Sequence, residues 1–441
     1  MSDRLVVNEH YLNRVVAVGE ASGVEATEDI LSGTGVKLLA KGARIDGKVK
    51  DRLLQHKLLK PLESSVRVID ISASRSMDAV AESLLQRHSL IAGVCGVSAA
   101  RTVRSMLREL RLSTPVESLL SIYAAQGPTK LEHAVGVALL GAAMMHALPQ
   151  GSDQTVQVLL RAGLMHDVGD LYIDPTILLA SGRLSGDEWK HVATHPIVAA
   201  RLLRDMAGGG PAVAEAVLHH HERLDGFGYP HGVRGDQLPL TGQVLAFAEM
   251  LMAIIESDRN THERASVAVK LIPGEFNRTL LDKVARATQS AKGTAQLSDT
   301  IVDNTRMEEL VQQAAALDAN LHRVLGLQSD VQVQFRSGSR ALQELMTHVI
   351  ERCQRIRQAF SSTGLDSHGP DELRQRVVAM GSDVHIEIGI VLREIEWRLR
   401  EVKRELRVRA ERLSPAEAAL VSRFVELSKP ADKRSEPATQ S

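Results

Sequence analysis

Two cysteines, Cys95 and Cys353, are all that 441 residues provide. They cannot build a disulfide framework, so a reducing compartment is the expectation, and both read as small buried hydrophobes. Aromatic residues are scarce, at 3%, whereas alanine, leucine and arginine abound, a balance that favours helix. There is no excess of either charge: the formal net charge is -1, so there is no global pull toward nucleic acid or an acidic membrane. No uninterrupted apolar run reaches membrane-spanning length, and the opening Met1-Ser2-Asp3-Arg4 lacks the apolar core of a signal peptide. The expectation is a cytoplasmic protein whose partners are neither nucleic-acid polymers nor membranes. What is present is an ordinary globular mixture, 44% hydrophobic and 24% charged, long enough for two or three domains.

Residues 24–75 differ from the rest. Short apolar runs at 29–31, 36–39 and 66–71 alternate with glycine turns and read as small strands, with a short helix over 49–59. From residue 77 helical periodicity takes over. Helices are expected over 130–148, carrying His133, and over 155–167, ending in His166-Asp167. Ser185 and Glu188 form a capping-box pattern opening a helix with Trp189, His191 and His195. A helix over 212–221 would deliver His220 and His221, and one over 243–255 would carry Glu249. Beyond residue 296 the chain reads as helical throughout. Ile388, Leu392, Ile395, Leu399, Val402 and Leu406 make a heptad seam, either a core or a dimer helix, and the last dozen residues are expected to fray. The fold class is therefore mainly α, with a small β-containing module at 1–75, a helical domain at 76–295 and a helical, coiled-coil-like extension at 296–441.

The chemistry gathers in His133, His166, Asp167, His195, His220, His221 and Glu249. Five imidazoles and two carboxylates exceed what one metal ion needs from protein, whereas two ions sharing a bridging carboxylate would use them all. Asp167, directly beside His166, is the natural bridge. Two such ions would activate water and steady charge on a phosphoryl oxygen, chemistry suited to phosphoester hydrolysis. A His-rich set matches iron, manganese or zinc better than magnesium or calcium. Just past the paired histidines, Asp225-Gly226-Phe227-Gly228-Tyr229-Pro230 marks a sharp turn. Taken singly, His146, His191, His219, His231 and His262 read as surface or hydrogen-bonded residues.

The order His133, His166-Asp167, His195-Pro196, His220-His221-Glu222 and then Asp225-Gly226-Phe227-Gly228-Tyr229-Pro230 resembles the HD-GYP family of HD-domain metal-dependent phosphohydrolases. The resemblance covers roughly residues 120–290. It implies an all-helical HD-type domain with two or three metal ions and hydrolysis of cyclic di-GMP to linear pGpG or GMP, and two divalent ions, iron or manganese, are expected here. By resemblance His133, His166, Asp167 and Glu249 surround one ion, and Asp167, His195, His220 and His221 the other. The loop at Asp225, Gly226, Gly228, Tyr229 and Pro230 shapes the mouth of the site and meets partners such as GGDEF-type signalling proteins. Homodimerisation through the C-terminal helices is a further expectation.

Four departures accompany the resemblance. The family usually reads His-Asp-x-Gly-Lys, whereas this chain has Asp170 in the lysine's position, a negative charge that should repel a phosphodiester unless it is neutralised. Glu249 stands where the family has Asp. Thr129 replaces a carboxylate that some members use for a third metal. Of the family's later basic segment only Arg259 is kept, and Asp167, Asp170 and Arg259 are the expected catalytic positions. The alternative to an enzyme is a weakened signalling adaptor that binds metal or nucleotide and recruits proteins. An HD hydrolase for another nucleotide is a third reading, because a ligand series does not choose a substrate.

Overall fold

A computed structural model describes residues 6–70, 73–180, 184–257, 260–271, 274–291, 304–366, 372, 374–375 and 382–427. It divides into two compact units, one of residues 1–261 with 274–291, the other of 262–273 with 292–441. The mainly helical class is as expected, and among the described residues the short strands lie in the N-terminal region.

The first unit opens with a helix the sequence reading did not anticipate, Glu9–Ser22, capped by the Asn8 side chain, which accepts from the Tyr11 amide at 3.0 Å. It buries Tyr11, Leu12, Val15, Val16 and Val18. Two short antiparallel pairs follow. Val24–Ala26 pairs with Val66–Val68 in the register Val24 to Val68, and Ile30–Leu31 pairs with Lys37–Leu39. The helix Gly47–Leu54 lies between them in sequence.

The helices Ala73–Arg87, Ser89–Cys95, Val97–Glu109 and Thr114–Ala124 then lead to the central one, Lys130–His146. From Ala134 to Met145 this helix is buried on every side, because neighbours enclose it completely. Its packing on Asp153–Met165 is tight: a Cβ on Gly163 would lie 2.4 Å from the Ala138 Cα, so only glycine permits this spacing. That spacing brings His133 and His166 together.

Two expected helices are corrected. His195 does not ride on the helix opened by Ser185, which ends at Val192; it begins a new helix, His195–Asp205. Pro196 explains the restart, since proline lacks an amide hydrogen and suits the first turn of a helix. Likewise Pro211–Leu218 stops before the paired histidines, and His219, His220 and His221 occupy a turn. Leu240–Glu256 carries Glu249 as expected.

The second unit contains Thr261–Leu271 for the most part, with Asn304–Arg336, Arg340–Ser361, Ser382–Ala410 and Pro415–Leu427. All six seam residues, Ile388 to Leu406, are buried inside it, so the heptads line a core. Ser414 and Glu417 cap the last helix reciprocally. The final residues, 428–441, whose fraying was expected, lie outside the described residues.

Candidate metal centre

Six segments of the first unit bring candidate donors into one cluster. His133 lies in the first turn of Lys130–His146, and His166 caps the end of Asp153–Met165. Asp167 leads into the 3-10 turn Val168–Tyr172, while His195 opens its helix. His220 and His221 come from the turn after Pro211–Leu218, and Glu249 from the middle of Leu240–Glu256. Gly169 allows the crossing of two of these segments, because a Cβ there would lie 2.1 Å from the His195 carbonyl oxygen.

Asp167 stands between two groups of donors. Its Oδ2 lies 3.8 Å from His133 Nε2 and 3.4 Å from His166 Nε2. Its Oδ1 lies 3.4 Å from His195 Nε2 and 3.6 Å from His220 Nε2. Glu249 Oε2 completes the first group, at 3.1 Å from His133 Nε2 and 3.3 Å from His166 Nε2. His221 joins the second, its ring centroid 4.1 Å from that of His220. Within each of the sets Asp167, His195, His220, His221 and His133, His166, Asp167, donor atoms fall within 4.8 Å of one another. The structure thus brings all seven expected donors together.

Whether this donor set suits a cation can be judged from the hydrogen bonds behind it. His166 Nδ1 faces the Gly163 carbonyl at 2.8 Å, His195 Nδ1 the Val192 carbonyl at 2.8 Å and His220 Nδ1 the Val217 carbonyl at 2.6 Å. A carbonyl only accepts, so each Nδ1 donates, and a neutral ring is left with a lone pair on Nε2. His133 Nδ1 is anchored in the same way on Glu256 Oε1 at 2.8 Å. The lone pairs then meet head to head: His133 and His166 Nε2 are 3.1 Å apart, His195 and His220 Nε2 3.0 Å. Glu249 Oε2 is buried and accepts no well-aligned hydrogen bond. Lone pairs aimed at each other beside a buried carboxylate oxygen call for a positive charge between them, which a divalent cation satisfies.

Electrostatics point the same way. Burial resists protonation of His166, but Asp167 and Glu249 overcome it and lift its pKa to about 10, so without a metal ion a proton takes the Nε2 position that a cation would use. Burial lowers His220 to about 4 against the hydrogen bond to Asp167, and the charges of His195 and His166 push it further down. Burial opposes ionisation of Asp167 and Glu249 too, yet the surrounding histidines hold both well below the usual carboxylate range. The acids here attract cationic charge strongly.

The glycine loop is built onto this centre. Gly226 has φ 76, and a Cβ there would lie 2.5 Å from Arg234 Cγ. The Phe227 amide donates to Asp225 Oδ1 at 3.0 Å, and the Tyr229 amide to the His221 carbonyl at 3.1 Å. Tyr229, joined to Pro230 by a cis bond, stacks on His221 with ring centroids 4.6 Å apart, and Trp189 stands edge-on to Tyr229 at 5.2 Å. Beneath the loop, buried Glu222 accepts from the His231 and Gly232 amides at 2.7 and 3.0 Å. A Cβ on Gly228 would lie 2.3 Å from the Glu222 Cα, so this position also requires glycine.

Asp170 lies beside the centre, its Oδ1 4.0 Å from His195 Nδ1. Burial, followed by the charge of Asp167, raises its pKa, opposed by His195 and Lys130. Arg259, the remaining expected catalytic position, lies outside the described residues. Sequence reading missed Glu256, which orients His133, and Tyr123, whose hydroxyl donates to Asp167 Oδ2 at 3.3 Å. Glu256 follows Glu249 by two helical turns on the same helix, the one signal that could have found it. His146 and His191 are exposed, as expected for residues outside the set, and His219 Nδ1 turns to the Glu215 carbonyl at 2.8 Å.

Residues 125–284 match the HD domain family. A cyclic di-GMP phosphodiesterase of Pseudomonas aeruginosa is 34% identical over 163 residues, 36% of this chain and 39% of the relative. A cyclic di-GMP phosphodiesterase response regulator of Xanthomonas campestris pv. campestris is 33% identical over 107 residues, 24% of this chain and 28% of the relative. A 3'3'-cGAMP-specific phosphodiesterase of Vibrio cholerae serotype O1 is 28% identical over 183 residues, covering 40% and 39%. The chain thus spans well under half the length of these curated relatives. Together with the ordered histidines and the turn at 226–230, these matches support reading residues 125–284 as an HD domain of the HD-GYP type.

Proposed function

We propose that this chain is a metal-dependent phosphodiesterase that hydrolyses cyclic di-GMP to linear pGpG or GMP. The observation that carries the reading is Asp167 standing between two donor groups, one oxygen toward each. His133, His166, Asp167 and Glu249 would hold one divalent ion, and Asp167, His195, His220 and His221 a second, iron or manganese by the character of the donors. When bound, such ions supply Lewis acidity and lower the pKa of water.

The chain's own residues do the positioning. The Nδ1 bonds to Gly163, Val192 and Val217 fix three imidazoles, and Glu256 fixes the fourth, so ligand orientation costs little at binding. The Tyr123 hydroxyl steadies Asp167 by donating to Oδ2. Tyr229 and Trp189 offer aromatic surface beside His221, apt for a flat base. We take residues 1–75 as an input module, 76–295 as the hydrolase domain and 296–441 as a helical extension. Contacts of the Gly226–Pro230 loop with GGDEF-type proteins, and a homodimer, belong to the same reading.

The test is turnover. Purified chain loaded with manganese or iron should linearise cyclic di-GMP, and His166→Ala or Asp167→Ala should abolish it. Folded protein with no turnover under either metal would defeat the proposal. Since one relative is named for 3'3'-cGAMP, that dinucleotide belongs in the same assay. Asp170 favours one other reading, an adaptor that binds nucleotide without hydrolysis, and binding without turnover is its signature.

A further inference from the structure

The acids beside the centre pose a problem of charge. Asp170 is half-buried, three residues after Asp167 and 4.0 Å from His195 Nδ1, so an approaching phosphodiester meets a carboxylate that is not part of either donor group. The structure holds an answer on another helix. Lys130 Nζ lies 3.4 Å from Asp170 Oδ2 and 5.1 Å from the centroid of the Tyr123 ring, whose hydroxyl reaches Asp167. The ammonium is thus held on two sides, by a carboxylate and by the face of an aromatic ring. Its side chain stays 35% exposed while that of Asp170 is 15% exposed, so the cation is the member of the pair within reach of solvent and ligand. An ammonium carries three donor hydrogens, and the bond to Asp170 engages one of them.

We propose that Lys130 is the cation that receives the substrate's phosphate at this centre, with Asp170 as its holder rather than as a catalytic acid. The inference deepens the phosphodiesterase reading and rests on it for the identity of the substrate, though not for the binding of phosphate. Position in the fold supports the role. Lys130 begins the helix that carries His133 one turn later, so ammonium and ligand are fixed by one rigid element. Its location at a helix start gains nothing from the helix dipole, which opposes a positive charge there, so the lysine is not placed to stabilise the helix itself.

Lys130 and Asp170 should then act with opposite sign. In full-length protein loaded with manganese, Lys130→Met should weaken binding of inorganic phosphate and raise KM for cyclic di-GMP, each by roughly tenfold or more, as expected for loss of a charge-assisted hydrogen bond. Lys130→Arg should retain most of both. Asp170→Asn, which frees the ammonium, should tighten phosphate binding. Bound manganese per chain should be the same in all four proteins, which separates positioning from ligation. Unchanged phosphate affinity and KM in Lys130→Met would overturn the proposal, as would loss of manganese from it or phosphate weakening in Asp170→Asn. Lys130-dependent phosphate binding in a protein that leaves cyclic di-GMP intact would uphold Lys130 and defeat the phosphodiesterase reading alone.

Discussion

The Nδ1 anchor of each of four imidazoles decides which nitrogen faces the centre. With Nδ1 committed to Gly163, Val192, Val217 or Glu256, the four Nε2 lone pairs have nowhere to point but inward. Three of those anchors are backbone carbonyls that no substitution removes. The fourth is a side chain, so it can be tested. Glu256→Ala should lower metal affinity by about 10- to 100-fold, the usual cost of losing an outer partner of a ligating histidine. Chelator competition reads this directly, and an unchanged affinity would show that His133 does not depend on Glu256. The candidate donors were legible in the sequence, because imidazole and carboxylate chemistry narrows the choice at once. Glu256, Tyr123 and Lys130 were not, since nothing in their local sequence shows which distant ring or acid they meet.

At the scale of elements, the turn Val168–Tyr172 that follows Asp167 is tied to the N-terminal region. Arg14 donates to the carbonyls of Leu171 at 2.6 Å and Ile173 at 3.1 Å, Tyr11 stacks on Tyr172 at 5.0 Å, and the Tyr172 hydroxyl donates to Glu63. Burial raises the Glu63 pKa against the hydrogen bond from Tyr172. An acid whose pKa is raised by folding stabilises the fold while protonated, and that contribution is lost as pH rises through the raised value. Glu63→Gln keeps an acceptor for Tyr172 without the charge. Its melting temperature should therefore exceed that of the parent increasingly as pH rises above about 4, the ordinary glutamate range. A constant difference across pH would contradict the burial argument. The sequence disclosed the small strands here but not the Glu9–Ser22 helix, whose buried Val15, Val16 and Val18 are residues that also favour strands. Helix ends were the other weakness: Pro196 restarted one helix, and the turn at His219–His221 ended another earlier than periodicity indicated.

For the whole molecule, the two units raise different questions. The first contains all seven candidate donors, scattered from His133 to Glu249. Their order along the chain was readable because a metal site constrains residue type at each position, while the close approach at Gly163 that unites them belongs to the fold. The second unit buries its heptad seam internally. Ile395 is fully buried there, so Ile395→Asp should unfold this unit rather than merely separate a dimer, because an unpaired carboxylate in an apolar core costs several kcal/mol. Circular dichroism should show lost helix and a lower melting temperature. A folded variant of altered oligomeric state would instead mark the seam as an intermolecular surface.

Anomalous diffraction from crystals grown with manganese addresses the metal centre itself. Two peaks are expected on either side of Asp167, one among His133, His166 and Glu249, the other among His195, His220 and His221. Density at neither place in crystals that hold manganese elsewhere would contradict a dinuclear centre.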